Sequence, residues 1–150
     1  MTSAAHPAPP VPCAINRTVA YIHVADVDAS LAFYALLGYA PEKTLKDEQG
    51  RAFWSLAHSG TAEIMLARAS GPIDAAQQAV LFYMYSADVA GLRRHLLASG
   101  LHAGGIYRGA AGPNGGRREV FEIARPDYMP AGEVRIADPD GYIILVGQLN

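Results

Sequence analysis

The chain has 150 residues and a mass of 15.9 kDa, the commonest size for a single domain and enough to bury a core without disulfide or metal staples. With 51% hydrophobic and 17% charged residues it is not a disordered chain, and 12 basic against 14 acidic residues leave no nucleic-acid footprint. Unbroken apolar runs such as 79–85 are far too short to span a membrane, and the single Cys13 permits no intrachain disulfide, so a cytoplasmic protein is expected.

Residues 1–14 carry Pro7, Pro9, Pro10 and Pro12, which block helix and central strand alike. With no charged start and no sustained apolar stretch, they are expected to form an extended tail that orders against a partner chain, not a secretory signal. One domain, 15–150, follows. Its first β-type run is 18–24, rich in Val, Ile and Tyr. Asp26 then caps a helix whose apolar positions are Val27, Leu31 and Tyr34, and Gly38 closes it. Strands are expected at 40–45, 51–58 and 61–68, the last two joined by a tight turn at Ser59-Gly60.

The pattern then repeats. Ala25-Asp26-Val27 recurs as Ala87-Asp88-Val89, an offset of 88 − 26 = 62, and Gly38 and Gly100 keep the same offset. A strand at 80–86 precedes the second aspartate, and Val89, Leu92 and Leu96 give the second helix its apolar spacing. Strands are expected at 118–124, 133–136 and 141–147. The turn Asp138-Pro139-Asp140-Gly141 has proline to preset φ and glycine to relieve crowding. The chain therefore reads as α+β, two tandem βαβββ modules at about 15–70 and 78–150. The sheets form a cupped mixed surface with the helices on its outer face.

Two such modules resemble the vicinal oxygen chelate superfamily, which includes glyoxalase I, extradiol dioxygenases and the bleomycin-resistance binding proteins. The resemblance runs from Arg17 to Gln148. It is carried by Val24-Ala25-Asp26 with Ser30, Phe33-Tyr34 and Leu37-Gly38, by Glu63-Ile64-Met65-Leu66, and by Asp138-Pro139-Asp140-Gly141-Tyr142. Metal-dependent members hold a divalent cation with four His, Glu or Gln side chains. The resemblance places those positions here at Val19, Leu81, Met65 and Leu145, and a slip of one residue brings in only Phe82. None offers a donor suited to a divalent ion, so no metal and no cofactor are expected.

Alternation along the first strand puts Val19, Tyr21 and His23 on the concave face, and the offset of 62 adds Tyr83 and Tyr85. The turn at Ser59-Gly60 would set Trp54 opposite Met65 and Leu56 opposite Glu63, bringing Trp54, Glu63 and Met65 to the same face. Arg135 is a candidate partner for Glu63, or a surface arginine. The expected ligand-binding set is thus Tyr21, His23, Trp54, Glu63, Met65, Tyr83, Tyr85, Arg135 and Leu145, with His23 and Glu63 as acid–base candidates. Other signals stay bland. Gly109, Gly112, Gly115 and Gly116 lack the Lys-Ser/Thr and helix of a phosphate loop, His58, His95 and His102 have no ligand spacing, and Arg93-Arg94 and Arg117-Arg118 suit solvated faces.

The function expected is binding of an aromatic or amphipathic small molecule, without metal, in a homodimer that contacts neither nucleic acid nor membrane. The alternative is an enzyme of lyase, isomerase or dioxygenase type, using metal-free acid–base chemistry or a non-standard metal site.

Overall fold

The structure, a computed structural model, describes residues 12–13, 17–77, 80–108 and 116–149. Most of the proline-rich tail, and Gly109, Gly112 and Gly115, lie outside the described residues. The first module comprises β1 (Ala20–Val24), α1 (Val27–Ala35), β2 (Ala40–Lys46), β3 (Ala52–Ser59) and β4 (Ala62–Arg68). The second comprises β5 (Val80–Tyr85), α2 (Val89–Ala98), β6 (His102–Ala103), β7 (Glu119–Val120), β8 (Glu133–Ala137) and β9 (Ile143–Gly147). They build two mixed sheets, ordered β1-β4-β3-β2 and β5-β9-β8-β7-β6. The parallel β1/β4 pair and the parallel β5/β9 pair occupy equivalent places.

Both helices begin where the repeated aspartates lie. Asp26 accepts from the Ala29 N–H at 3.0 Å and Asp88 from the Gly91 N–H at 2.9 Å, satisfying donors that the first turn leaves free. Gly38 and Gly100, at φ 94° and 98°, supply the left-handed conformation that ends each helix. From α1, Val27, Phe33 and Tyr34 are buried. From α2, Val89 and Leu96 are buried. They pack on Ile22, Val24, Ile64 and Leu66 of the first sheet and on Val134, Ile136, Ile144 and Val146 of the second, in one continuous core.

Three sequence expectations change. The β3–β4 turn is Gly60-Thr61, with Ser59 opposite Ala62, not Ser59-Gly60. Gly60 has φ 59°, the sign a type II′ turn needs at its first position. The pairing consequently moves by two residues: Trp54 faces Ala67, Leu56 faces Met65 and His58 faces Glu63. A slip of two keeps every side chain on its expected face. The run 118–124 is regular only at Glu119–Val120, with an isolated bridge at Ala124–Glu133. Short β6 joins it in parallel and was not expected. Tyr21 pairs with Met65 and Tyr83 with Leu145, so the module offset grows from 62 to 145 − 65 = 80. The second module therefore carries an insertion between its helix and its last strand.

The Asp138-Pro139-Asp140-Gly141 turn holds the modules together. The Asp138 carboxylate, fully buried, accepts from the Tyr34 hydroxyl on α1 at 2.8 Å and from the Asp140 and Tyr142 N–H groups at 2.8 and 3.0 Å. Asp140 accepts from the Ala25 N–H at 3.1 Å, and the Tyr142 hydroxyl donates to the His23 carbonyl at 2.9 Å. Gly141 has φ 85°, and a Cβ there would lie 2.5 Å from the Ala75 carbonyl oxygen, so only glycine fits.

Burial outweighs these hydrogen bonds and pushes the Asp138 carboxyl from its ordinary 3.8 up to about 6. A carboxyl whose pKa is raised by folding gives stability that is fully present below its unfolded value and is lost as pH rises through the folded one. Between about pH 4 and 6, the stability of the native sequence should therefore fall relative to Asp138→Asn, by up to about 3 kcal/mol. Urea unfolding of both proteins across that range measures the difference. A difference that does not change with pH would contradict the assignment.

Candidate functional site

The strand alternation that buries Ile22 and Val24 under the helices turns Tyr21 and His23 the other way, and Tyr21 is 53% exposed. Tyr21 and His23 meet edge to face at 5.3 Å between ring centroids. Met65, opposite Tyr21 on β4, and Leu56, beside it on β3, complete the centre of this first sheet face. Beyond them Tyr21 and Trp54, with Lys43, Leu45, Phe53 and Arg68, line an open hollow of about 510 Å³. Phe53 was not singled out from sequence. Leu45 pairs with Trp54 and Lys46 with Ala52, which leaves Phe53 as the extra residue of a β-bulge, and bulges are invisible to simple alternation.

Glu63 lies at the start of β4 on the same face, and its partner is Arg17, not Arg135. The Arg17 Nε donates to Glu63 Oε1 at 3.0 Å, and its Nη2 reaches Oε2. The residues are 46 apart in sequence, and no local pattern announces the pair. The guanidinium thus engages both carboxylate oxygens. His23, opposite Ala67, is two same-face steps along β4 from Glu63, so the two acid–base candidates form no dyad.

The second sheet face is the repeat of the first, with a more polar floor. Tyr83 and Tyr85 are 40% and 61% exposed, and their rings lie 5.3 Å apart. Leu145 on β9 lies between Tyr83 on β5 and Arg135 on β8. The Arg135 guanidinium stacks over Tyr107 at 4.7 Å, and Tyr107 rests edge-on against Phe121. Glu133, missed from sequence, is buried on this face. It accepts from the Tyr83 hydroxyl at 2.5 Å and from the Tyr128 hydroxyl at 3.3 Å, and its Oε1 is 3.8 Å from Arg135 Nη1. Its two-residue step from Arg135 was the available signal, since both must share a face. A Cβ on Gly147 would lie 2.9 Å from the Tyr83 hydroxyl, so the glycine makes room for that contact.

The expected residues therefore form two dishes, one on each sheet, and not one enclosed pocket. A cleft of about 670 Å³ between the modules adds a third concavity, where Glu63 and the β3–β4 turn approach Tyr83 and Tyr85. The donor set for a divalent ion is lacking at the positions the family resemblance marks: Met65 and Leu145 occupy the centres of the two dishes, and Val19 precedes β1. The register sets Val80 opposite Ile143 and Phe82 opposite Ile144, leaving Leu81 at a bulge. Among the described residues, no group of three or more His, Cys, Asp or Glu side chains could hold a metal ion. Also among them, no helix is long and apolar enough to cross a membrane.

No family model matches the chain, and no curated protein matches it by sequence. Solved structures do. A bleomycin-binding protein complexed with bleomycin superposes with a TM-score of 0.63 at 16% identity, over 91% of this chain and 100% of the other. A glyoxalase-related enzyme from Clostridium phytofermentans gives 0.65 at 13% identity, covering 93% and 98%. TnmS3, an antibiotic binding protein from Streptomyces sp. CB03234, gives 0.62 at 15% identity, covering 92% and 98%.

With side chains such as Met65 and Leu145 in place of oxygen and nitrogen donors, the purified protein should carry no stoichiometric Ni, Zn, Mn or Fe. Elemental analysis that finds about one ion per chain, bound at either dish, would contradict this.

Proposed function

On the glyoxalase/bleomycin-resistance fold that this chain adopts, we propose a small-molecule binding protein that holds an aromatic or amphipathic compound against the two dished sheets without metal. The observation that carries the reading is the chemistry of the two dishes. Each has an apolar residue at its centre, Met65 or Leu145, beside a partly exposed aromatic ring, Tyr21 or Tyr83. Such surfaces offer flat contact area with a few hydroxyl handles, which suits a ring system better than a sugar or a phosphate. The bleomycin-binding and antibiotic-binding neighbours support small-molecule binding on this fold.

Neither dish encloses a ligand in a single chain. Tyr21, Leu45, Phe53, Tyr83 and Tyr85 remain exposed apolar surface on the concave faces. A two-fold homodimer resolves this, because an isologous contact lets one protomer's first dish roof the partner's second, twice over. The ligand would then lie between sheets, with Trp54 as one wall. A chain with the single Cys13 suits a reducing cytoplasm.

Isothermal titration with indole tests the reading. Native protein should bind saturably, and Trp54→Ala should weaken binding by roughly 1–3 kcal/mol, the scale of a lost aromatic contact. Unchanged affinity in the variant would remove Trp54 from the site. Light scattering at micromolar concentration should return twice the 15.9 kDa chain mass. A monomer would refute the shared site.

A further inference from the structure

We infer that Glu133 sets the hydrogen-bond polarity of the second dish, so that the compound held there presents an N–H or O–H donor to the Tyr83 and Tyr128 oxygens. The inference rests on the binding reading above and names the ligand chemistry that the dish selects.

Glu133 is 1% exposed, so its carboxylate must find its hydrogen bonds inside the protein. A carboxylate only accepts. Tyr83 and Tyr128 therefore spend their hydroxyl protons on it, at 2.5 and 3.3 Å, one on each oxygen. A phenol has a single proton to give, and what it retains is lone-pair capacity. Tyr83 and Tyr128 are 40% and 68% exposed, and Tyr83 stands beside Leu145 on the neighbouring strand, so the pair is open to a compound lying there. Toward that compound both are acceptors. Burial, together with the neighbouring Glu133 carboxylate, pushes the Tyr83 phenol above its ordinary 10.0, so the proton stays in place.

Arg135 is the charged donor of the dish, with Nη1 3.8 Å from Glu133 Oε1. Arg135 is turned onto the Tyr107 ring, and its buried Nε has no hydrogen-bond partner among the described residues. A ligand acceptor aimed at either tyrosine oxygen would meet lone pairs and would lose its water without compensation. An indole, phenol or amide N–H edge avoids that loss. Glu133 never touches the ligand in this scheme. It is a positioning residue that works through two hydroxyls.

Indole and benzofuran have nearly the same shape and differ in one N–H. Titrating each into the native protein, with the Gly147 amide resonance as local reporter, should show indole bound about fivefold more tightly. In Glu133→Gln the side-chain amide can donate to one tyrosine oxygen and free that hydroxyl's proton, so the preference should shrink to within about twofold. If Glu133→Gln does not fold, Tyr128→Phe removes one exposed acceptor and should narrow the preference. An unchanged ratio there contradicts the assignment. Equal binding of the two probes to native protein would overturn the inference while leaving the binding site standing. No Gly147 shift with either probe would overturn the site as well.

Discussion

The buried hydrogen bond from Tyr34 to Asp138 is the contact on which the arrangement of the two modules depends. Tyr34 comes from the helix of the first module and Asp138 from the last turn of the second, 104 residues apart. The same turn holds Ala25 through Asp140 and His23 through Tyr142. Asp138, Asp140 and Tyr142 thus hold the first strand and helix of the other module. That strand carries Tyr21 and His23, and the turn feeds directly into the strand with Leu145 and Gly147. The cost is electrostatic. Desolvation raises the Asp138 carboxyl to about 6, so at neutral pH its charge works against stability. What the carboxylate supplies is directional: it collects donors from three places that no apolar side chain could orient.

The two dishes have diverged from that common frame. In the first, the bulge at Phe53 and the open side of Trp54 leave a broad apolar rim. In the second, the inserted segment returns over the sheet with Tyr107, Phe121 and Tyr128, and brings Met129 against Gly147. One dish is therefore chiefly a stacking surface, and the other adds a polar floor. In the dimer proposed above, unlike dishes would pair and combine an aromatic wall with a hydrogen-bonding base.

Much of this was legible in the sequence. The capping aspartates, the closing glycines and the alternation along β1 are local devices, and each acts where it is written. The sheet faces of Tyr21, Tyr83, Trp54 and Leu145 followed from them. The β3–β4 register was not fixed, because Ser59-Gly60 and Gly60-Thr61 are both acceptable turn pairs and only the backbone conformation at Gly60 separates them. The partner of Glu63 was equally hidden. Arg17 and Arg135 are both distant in sequence, and folding alone decides between them. Glu133 sits at a strand's first residue, where charge usually means exposure. Its carboxylate is held inside by the Tyr83 and Tyr128 hydroxyls, the second of them on the inserted segment that breaks the repeat.

The proposed binding puts the ligand on the sheet faces and not in the cleft between the modules. The methionines report on it. Met65 lies at the centre of the first dish and Met129 beside Tyr83 in the second, whereas Met84 lines the cleft. Methyl resonances of carbon-13-methionine protein, followed during an indole titration, separate the sites through the ring current of the bound compound. The proposed binding predicts saturable shifts at Met65 and Met129 with Met84 unmoved. A shift dominated by Met84, with Met65 and Met129 silent, would contradict it.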